Sequence, residues 1–116
     1  MKRIAIPVYN GKLSEYFGRC SYYKIYEVEG KSMIGKELEL PDINSIEELP
    51  AWASTKGITD IITYKIDKQI ISLFNAYKIN LFVGIEMNTP ENLIREFLDE
   101  RMTSDNRIIT EIIENK

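Results

Sequence analysis

The spacing of apolar residues changes partway along this chain, and that change restricts the fold more than any other feature of the sequence. Arg3 to Tyr9 is a short β-rich run ended by the turn dipeptide Asn10-Gly11. Tyr22 to Glu29 is aromatic and β-branched and closes at Gly30, and Ser32 to Leu40 ends at Pro41-Asp42. In the third run Ile34, Leu38 and Leu40 share one alternate face and Glu37 and Glu39 the other. Past this point the period turns helical. Ser45-Ile46-Glu47-Glu48 fits a capping box, with Pro50 marking either the true helix start or the limit of a separate capping turn. That helix ends by Gly57. Thr59–Tyr64 and Ile79–Val83 read as buried strands. Between them Asp67 caps a helix with Ile70, Ile71, Phe74 and Tyr77 on one stripe. Thr89-Pro90-Glu91 starts a last helix whose apolar face is Leu93, Ile94, Phe97 and Leu98.

The expected order is strand-strand-strand-helix-strand-helix-strand-helix. Three strands joined by turns make an antiparallel meander, and strands alternating with helices run parallel because crossovers require it. The predicted architecture is α/β: a mixed five-stranded sheet with helices on its faces, a three-layer ribonuclease-H-like fold. It occupies residues 1–101. Residues 102–116 remain as a tail in which Ile108, Ile109, Ile112 and Ile113 form a narrow helical stripe. That stripe reads either as a terminal helix on its own domain or as a contact for a second copy of the chain.

Composition removes several function classes. The 116 residues carry 15 Lys and Arg against 18 Asp and Glu, with no basic stripe, so a nucleic-acid partner is not expected. The longest uncharged stretch, Gln69 to Tyr77, is far short of the roughly 20 apolar residues of a membrane span. The short apolar run at the start, stopped by Pro7, does not read as a signal peptide, and the expected compartment is the cytoplasm. There is no histidine, and Cys20 is the single cysteine. Serine or cysteine nucleophiles activated by histidine, and histidine or four-cysteine zinc sites, are therefore out of reach of one chain. Two-metal nuclease chemistry usually needs an acid on the first strand, and Ile4-Ala5-Ile6-Pro7-Val8 has none.

Three segments carry a resemblance: Lys2-Arg3-Ile4-Ala5-Ile6-Pro7-Val8, then Leu13-Ser14-Glu15-Tyr16-Phe17-Gly18-Arg19-Cys20, then Tyr22-Tyr23-Lys24-Ile25-Tyr26-Glu27-Val28. Together they resemble the nitrogenase iron–molybdenum-cofactor biosynthesis family, which includes NifX-like accessory proteins. The stretch Ala51 to Ile62 looks like the same family's helix and following strand, so the likeness spans residues 1–101. Tyr16 stands where the family usually has histidine, and neither Pro41–Ser45 nor Tyr64–Asp67 carries the glycines usual in relatives.

The resemblance implies a small non-enzymatic carrier of a metal–sulfur cofactor of iron–molybdenum type, or of its precursor. It implies a site in the loop Ser14, Glu15, Tyr16, Phe17, Gly18, Arg19 and Cys20, with the Cys20 sulfur as metal ligand. An anionic, soft cluster wants a thiolate together with N–H donors and a cation, which this loop and Arg19 can supply. Loops at the carboxyl ends of parallel strands converge where open α/β sheets place ligands, here Asn10–Cys20, Pro41–Ser45, Lys65–Asp67 and Gly84–Asn88. Two other readings stay open. One is an oxyanion-binding module using the loop N–H groups with Arg19 and Lys12 or Lys65. The other is a scaffold that acts on an acceptor protein, or as a homodimer, through residues 102–116.

Overall fold

The computed structural model describes residues 2–18, 20–41, 45–100 and 102. The expectations for Arg19, for the middle of the Pro41–Ser45 loop, and for dimerisation through the tail lie outside the described residues.

β1 (Lys2–Tyr9) is the central strand. Asn10 and Gly11, at φ 52° and 77°, turn the chain back into a two-residue strand β2 (Lys12–Leu13) that pairs antiparallel with the end of β1. Two consecutive positive φ values are the geometry that Asn-Gly favours in a tight hairpin. β3 (Tyr22–Glu29) then pairs antiparallel with β1, and β4 (Ser32–Glu39) pairs antiparallel with β3. A 3₁₀ turn (Ile46–Glu48) leads directly into α1 (Leu49–Thr55). β5 (Asp60–Ile62), α2 (Lys68–Ala76), β6 (Asn80–Phe82) and α3 (Pro90–Leu98) follow. β5 lies parallel to β1 and β6 parallel to β5. The sheet order is β4-β3-β1-β5-β6, with β2 attached beside β1.

The mixed α/β architecture matches the expectation, but the described residues form a sheet of six strands rather than five. The extra strand, β2, is too short to show a period, so no sequence pattern could announce it. Both readings of the Pro50 region hold. The capping turn is a separate element in which the Ser45 N–H donates to Glu48 Oε2 at 2.9 Å, and proline occupies the first turn of the helix that follows.

Strand alternation divides the core in two. Ala5, Ile25 and Ile61 face α1 and α2, packing with Leu49, Ala53, Ile70 and Phe74. Ile4, Ile6, Val8, Tyr26, Val28 and Ile62 pack with Leu93 and Ile94 of α3. Tyr77, expected on the buried stripe of α2, caps that helix and is exposed. The alternation on β4 carries a different meaning from its apolar pattern. Ile34 and Leu38 are exposed on this edge strand and Leu40 just beyond it, whereas Glu37 pairs with Arg3 and Glu39 with Lys56. The register slips beside Ile34, so the edge is bulged, which hinders pairing with another sheet. Among the described residues no helix is long and apolar enough to cross a membrane.

Candidate functional site

The carboxyl ends of β1, β5 and β6 point the same way, and the segments leaving them are stitched together by main-chain hydrogen bonds. Leu13 N–H donates to the Asn88 carbonyl at 2.9 Å, drawing the loop before α3 against β2. Phe17 N–H donates to Lys65 O at 2.8 Å and Lys65 N–H to Glu15 O at 3.1 Å, which locks Tyr16 beside Lys65. Gly84 N–H reaches Tyr64 O at 2.9 Å. The loop after β2 is therefore held on a rigid rim rather than swinging free.

Within that loop the side chains divide by role. Ser14 is buried; its N–H donates to Pro7 O at 2.9 Å and its hydroxyl to Tyr16 O at 2.8 Å, so both brace the turn. Phe17 is an inward anchor, edge-on to Phe74 at 5.5 Å and to Tyr23 at 6.0 Å between ring centres. Gly18 sits at φ +93°, and a Cβ there would come within 2.5 Å of Ile46 Cδ1. The torsion favours glycine here, and any Cβ would have to displace the end of the Ile46 side chain. Tyr16 is 46% exposed at the rim. Glu15 lies 3.8 Å from the Lys65 ammonium, which also sits over the Tyr16 and Tyr64 rings at 5.4 and 5.6 Å.

Cys20 is free and partly exposed, with its side chain resting on the core cluster that contains Phe17 and Tyr23. Ser21 N–H bonds to Val8 O at 2.8 Å, fixing the chain just after it to the end of β1. Burial pushes the Cys20 thiol pKa up, while Tyr23 and the Val8 backbone pull it back down. Tyr23 is itself buried, and its pKa is driven well above the usual phenol value by that burial and by the neighbouring Cys20. Its hydroxyl has no hydrogen-bond partner among the described residues.

Of the residues the sequence brought forward, Glu15, Tyr16, Gly18 and Cys20 reach the surface, and Ser14 and Phe17 are buried beneath the loop. The backbone N–H groups of Ser14 and Phe17 are spent on carbonyls, so neither faces a ligand. Lys65 enters the group through its backbone bridge to Tyr16. Tyr23 was missed: in sequence it is one tyrosine in an aromatic strand, although its parity with the buried Ile25 marks it as inward-facing.

As a donor set this is thin. Among the described residues no three Cys, Asp or Glu side chains come together around a point where a metal ion could sit. One thiol with a phenol nearby does not make a cage for a bare ion.

Residues 1–100 match the family model described as dinitrogenase iron-molybdenum cofactor. A curated relative, an uncharacterized protein of Methanocaldococcus jannaschii, is 26% identical over 107 residues, which is 88% of this chain and 90% of the relative. Among solved structures, the crystal structure of PH0822 superposes with a TM-score of 0.79 at 26% identity, covering 89% of this chain and 94% of that one. The apo form of the orange protein from Desulfovibrio gigas superposes with a TM-score of 0.74 at 17% identity, covering 90% and 93%, a likeness of fold.

Proposed function

We propose that this chain, which belongs to the dinitrogenase iron-molybdenum cofactor family, carries a preassembled metal–sulfur cluster attached through the single sulfur of Cys20. The observation that carries this reading is the placement of Cys20. Its side chain is partly open to solvent at the rim where the ends of β1, β5 and β6 are tied together, instead of being sealed in the core. A cluster that brings its own sulfides needs only one protein thiolate to be retained. Its remaining contacts would fall on Tyr16, Glu15 and Lys65 along the same rim. In such a carrier the protein supplies retention and shielding and no bond-making chemistry, so we read it as a non-enzyme. The strand order supports a ribonuclease-H-like reading of the fold, and a lone free thiol suits the reducing cytoplasm.

Protein prepared without oxygen tests the reading. Iron or molybdenum present in wild type and lost from Cys20→Ser supports it. Metal retained equally by Cys20→Ser contradicts it.

A second reading is favoured by one observation: the Lys65 ammonium stands partly exposed between two phenol rings, an arrangement able to hold a small oxyanion without any soft ligand. Molybdate or phosphate bound equally by wild type and Cys20→Ser but released by Lys65→Met would favour that alternative.

A further inference from the structure

We propose that Tyr23 is the positioning residue of this site, its buried hydroxyl donating a hydrogen bond to the Cys20 sulfur once that sulfur is a metal-bound thiolate. The inference rests on the reading of Cys20 as the attachment point and adds the partner that holds it.

Three observations support it. The Tyr23 side chain is only 2% exposed, yet its hydroxyl finds no hydrogen-bond partner among the described residues. A buried, unsatisfied hydroxyl is costly, and one beside a ligand site calls for a partner that the loaded site supplies. The ring cannot swing away to find water. Phe17 holds it edge-on at 6.0 Å and Trp52 packs against it at 5.4 Å. Finally, Cys20 packs against the same core cluster that contains Tyr23 and Phe17.

A neutral thiol is a weak acceptor, so the phenol O–H has little to gain in the empty protein. A thiolate bound to metal carries more negative charge and accepts well, and a hydrogen bond to an ionised acceptor is about twice as strong as a neutral one. Cargo binding thus turns a buried liability into a satisfied contact. The hydroxyl that is costly in the empty state is the one that aims the sulfur in the loaded state.

The test uses the full chain and the methylmercury cation, a probe that takes one thiolate and needs no second ligand. Retention against a soluble competing thiol is measured for wild type and Tyr23→Phe. Loss of a partner that orients a ligand typically weakens metal binding 10–100-fold, so Tyr23→Phe is expected to hold the probe about tenfold less well. The metal-free variant should melt at or above the wild-type temperature, since only an unsatisfied hydroxyl has been removed. In wild type, probe binding should also produce a red-shifted tyrosine difference band that Cys20→Ser lacks. Retention within about twofold of wild type overturns the inference while leaving Cys20 as the ligand. A wild-type chain that takes up no probe at Cys20 overturns the attachment reading and this inference with it.

Discussion

Gly18→Ala is the sharpest probe of how the site loop is held. At φ +93° an alanine is strained by its own Cβ, at roughly 1–2 kcal/mol for an L-residue in left-handed territory. The new methyl would also lie 2.5 Å from Ile46 Cδ1 and 3.1 Å from its Cγ1. Ile46 is partly buried and the contacting atom is the end of its side chain, so it can rotate aside, giving up packing against the core. Overpacking of this kind adds about 1 kcal/mol, for a total near 2–3 kcal/mol. Urea unfolding followed by circular dichroism measures it, with the midpoint falling and the slope unchanged. Ile46→Val separates the two contributions because it deletes Cδ1. In that background Gly18→Ala should cost about 1 kcal/mol less, a coupling well within reach of a double-mutant cycle. Equal costs in both backgrounds would show that Gly18 does not lie against Ile46, and the picture of a loop clamped onto the start of the α1 region would fall.

Three further outcomes follow from the same structure. Phe74→Ala removes a fully buried ring that packs edge-on to Phe17 and should cost about 3–5 kcal/mol in denaturant unfolding; a loss under about 1 kcal/mol would contradict the packing. The Glu91 carboxyl is held below its usual pKa by backbone N–H at the start of α3 and by Lys24, whose ammonium is 3.0 Å away. A lowered carboxylate pKa stabilises the fold above the unfolded value of about 4.3 and loses that contribution as pH falls through the folded value. Because the side chain is largely exposed, the effect is only about 0.5 kcal/mol; thermal melts should show Glu91→Gln less stable than wild type at neutral pH and level with it in strong acid. Cys20, its thiol pushed up by burial, should reach half-maximal iodoacetamide reactivity at a pH above the ~8.5 of a free cysteine; a midpoint below that value would mean the sulfur lies in a different environment.

Much of the fold is legible in the residues themselves. The caps of α2 and α3 are chemically explicit: Asp67 accepts from Gln69 N–H at 2.9 Å, and Thr89 stands just before Pro90 and accepts from Asn92 N–H. The meander of β1, β3 and β4 follows from β-rich runs broken by Asn10-Gly11, Gly30 and Pro41. The family is written in the first thirty residues for a related reason, since there the chain builds β1 and the loop that hangs from its end. Less is visible where tertiary context decides. β4 reads as an amphipathic strand, but at the sheet edge its apolar side chains stay exposed while Glu37 pairs with Arg3 and Glu39 with Lys56. In the loop, Phe17 before Gly18 reads from sequence as an aromatic anchor, but sequence cannot name Phe74 as the ring it packs on or say that Ser14 braces the turn against Pro7. Tyr23 was hidden for the opposite reason. An aromatic in a strand looks like packing, and what sets Tyr23 apart is a buried hydroxyl without a partner, shared by Tyr26, combined with a place in the core cluster on which Cys20 packs.

The sulfur of Cys20 is the proposed point at which cargo is held. Mass-spectrometric mapping of iodoacetamide modification, run on loaded and metal-free protein under argon, addresses that point directly. Cys20 should be modified in the metal-free chain and left unmodified while the cluster is bound. Equal modification in both, with the cluster still in place, would show that the cargo rests somewhere else.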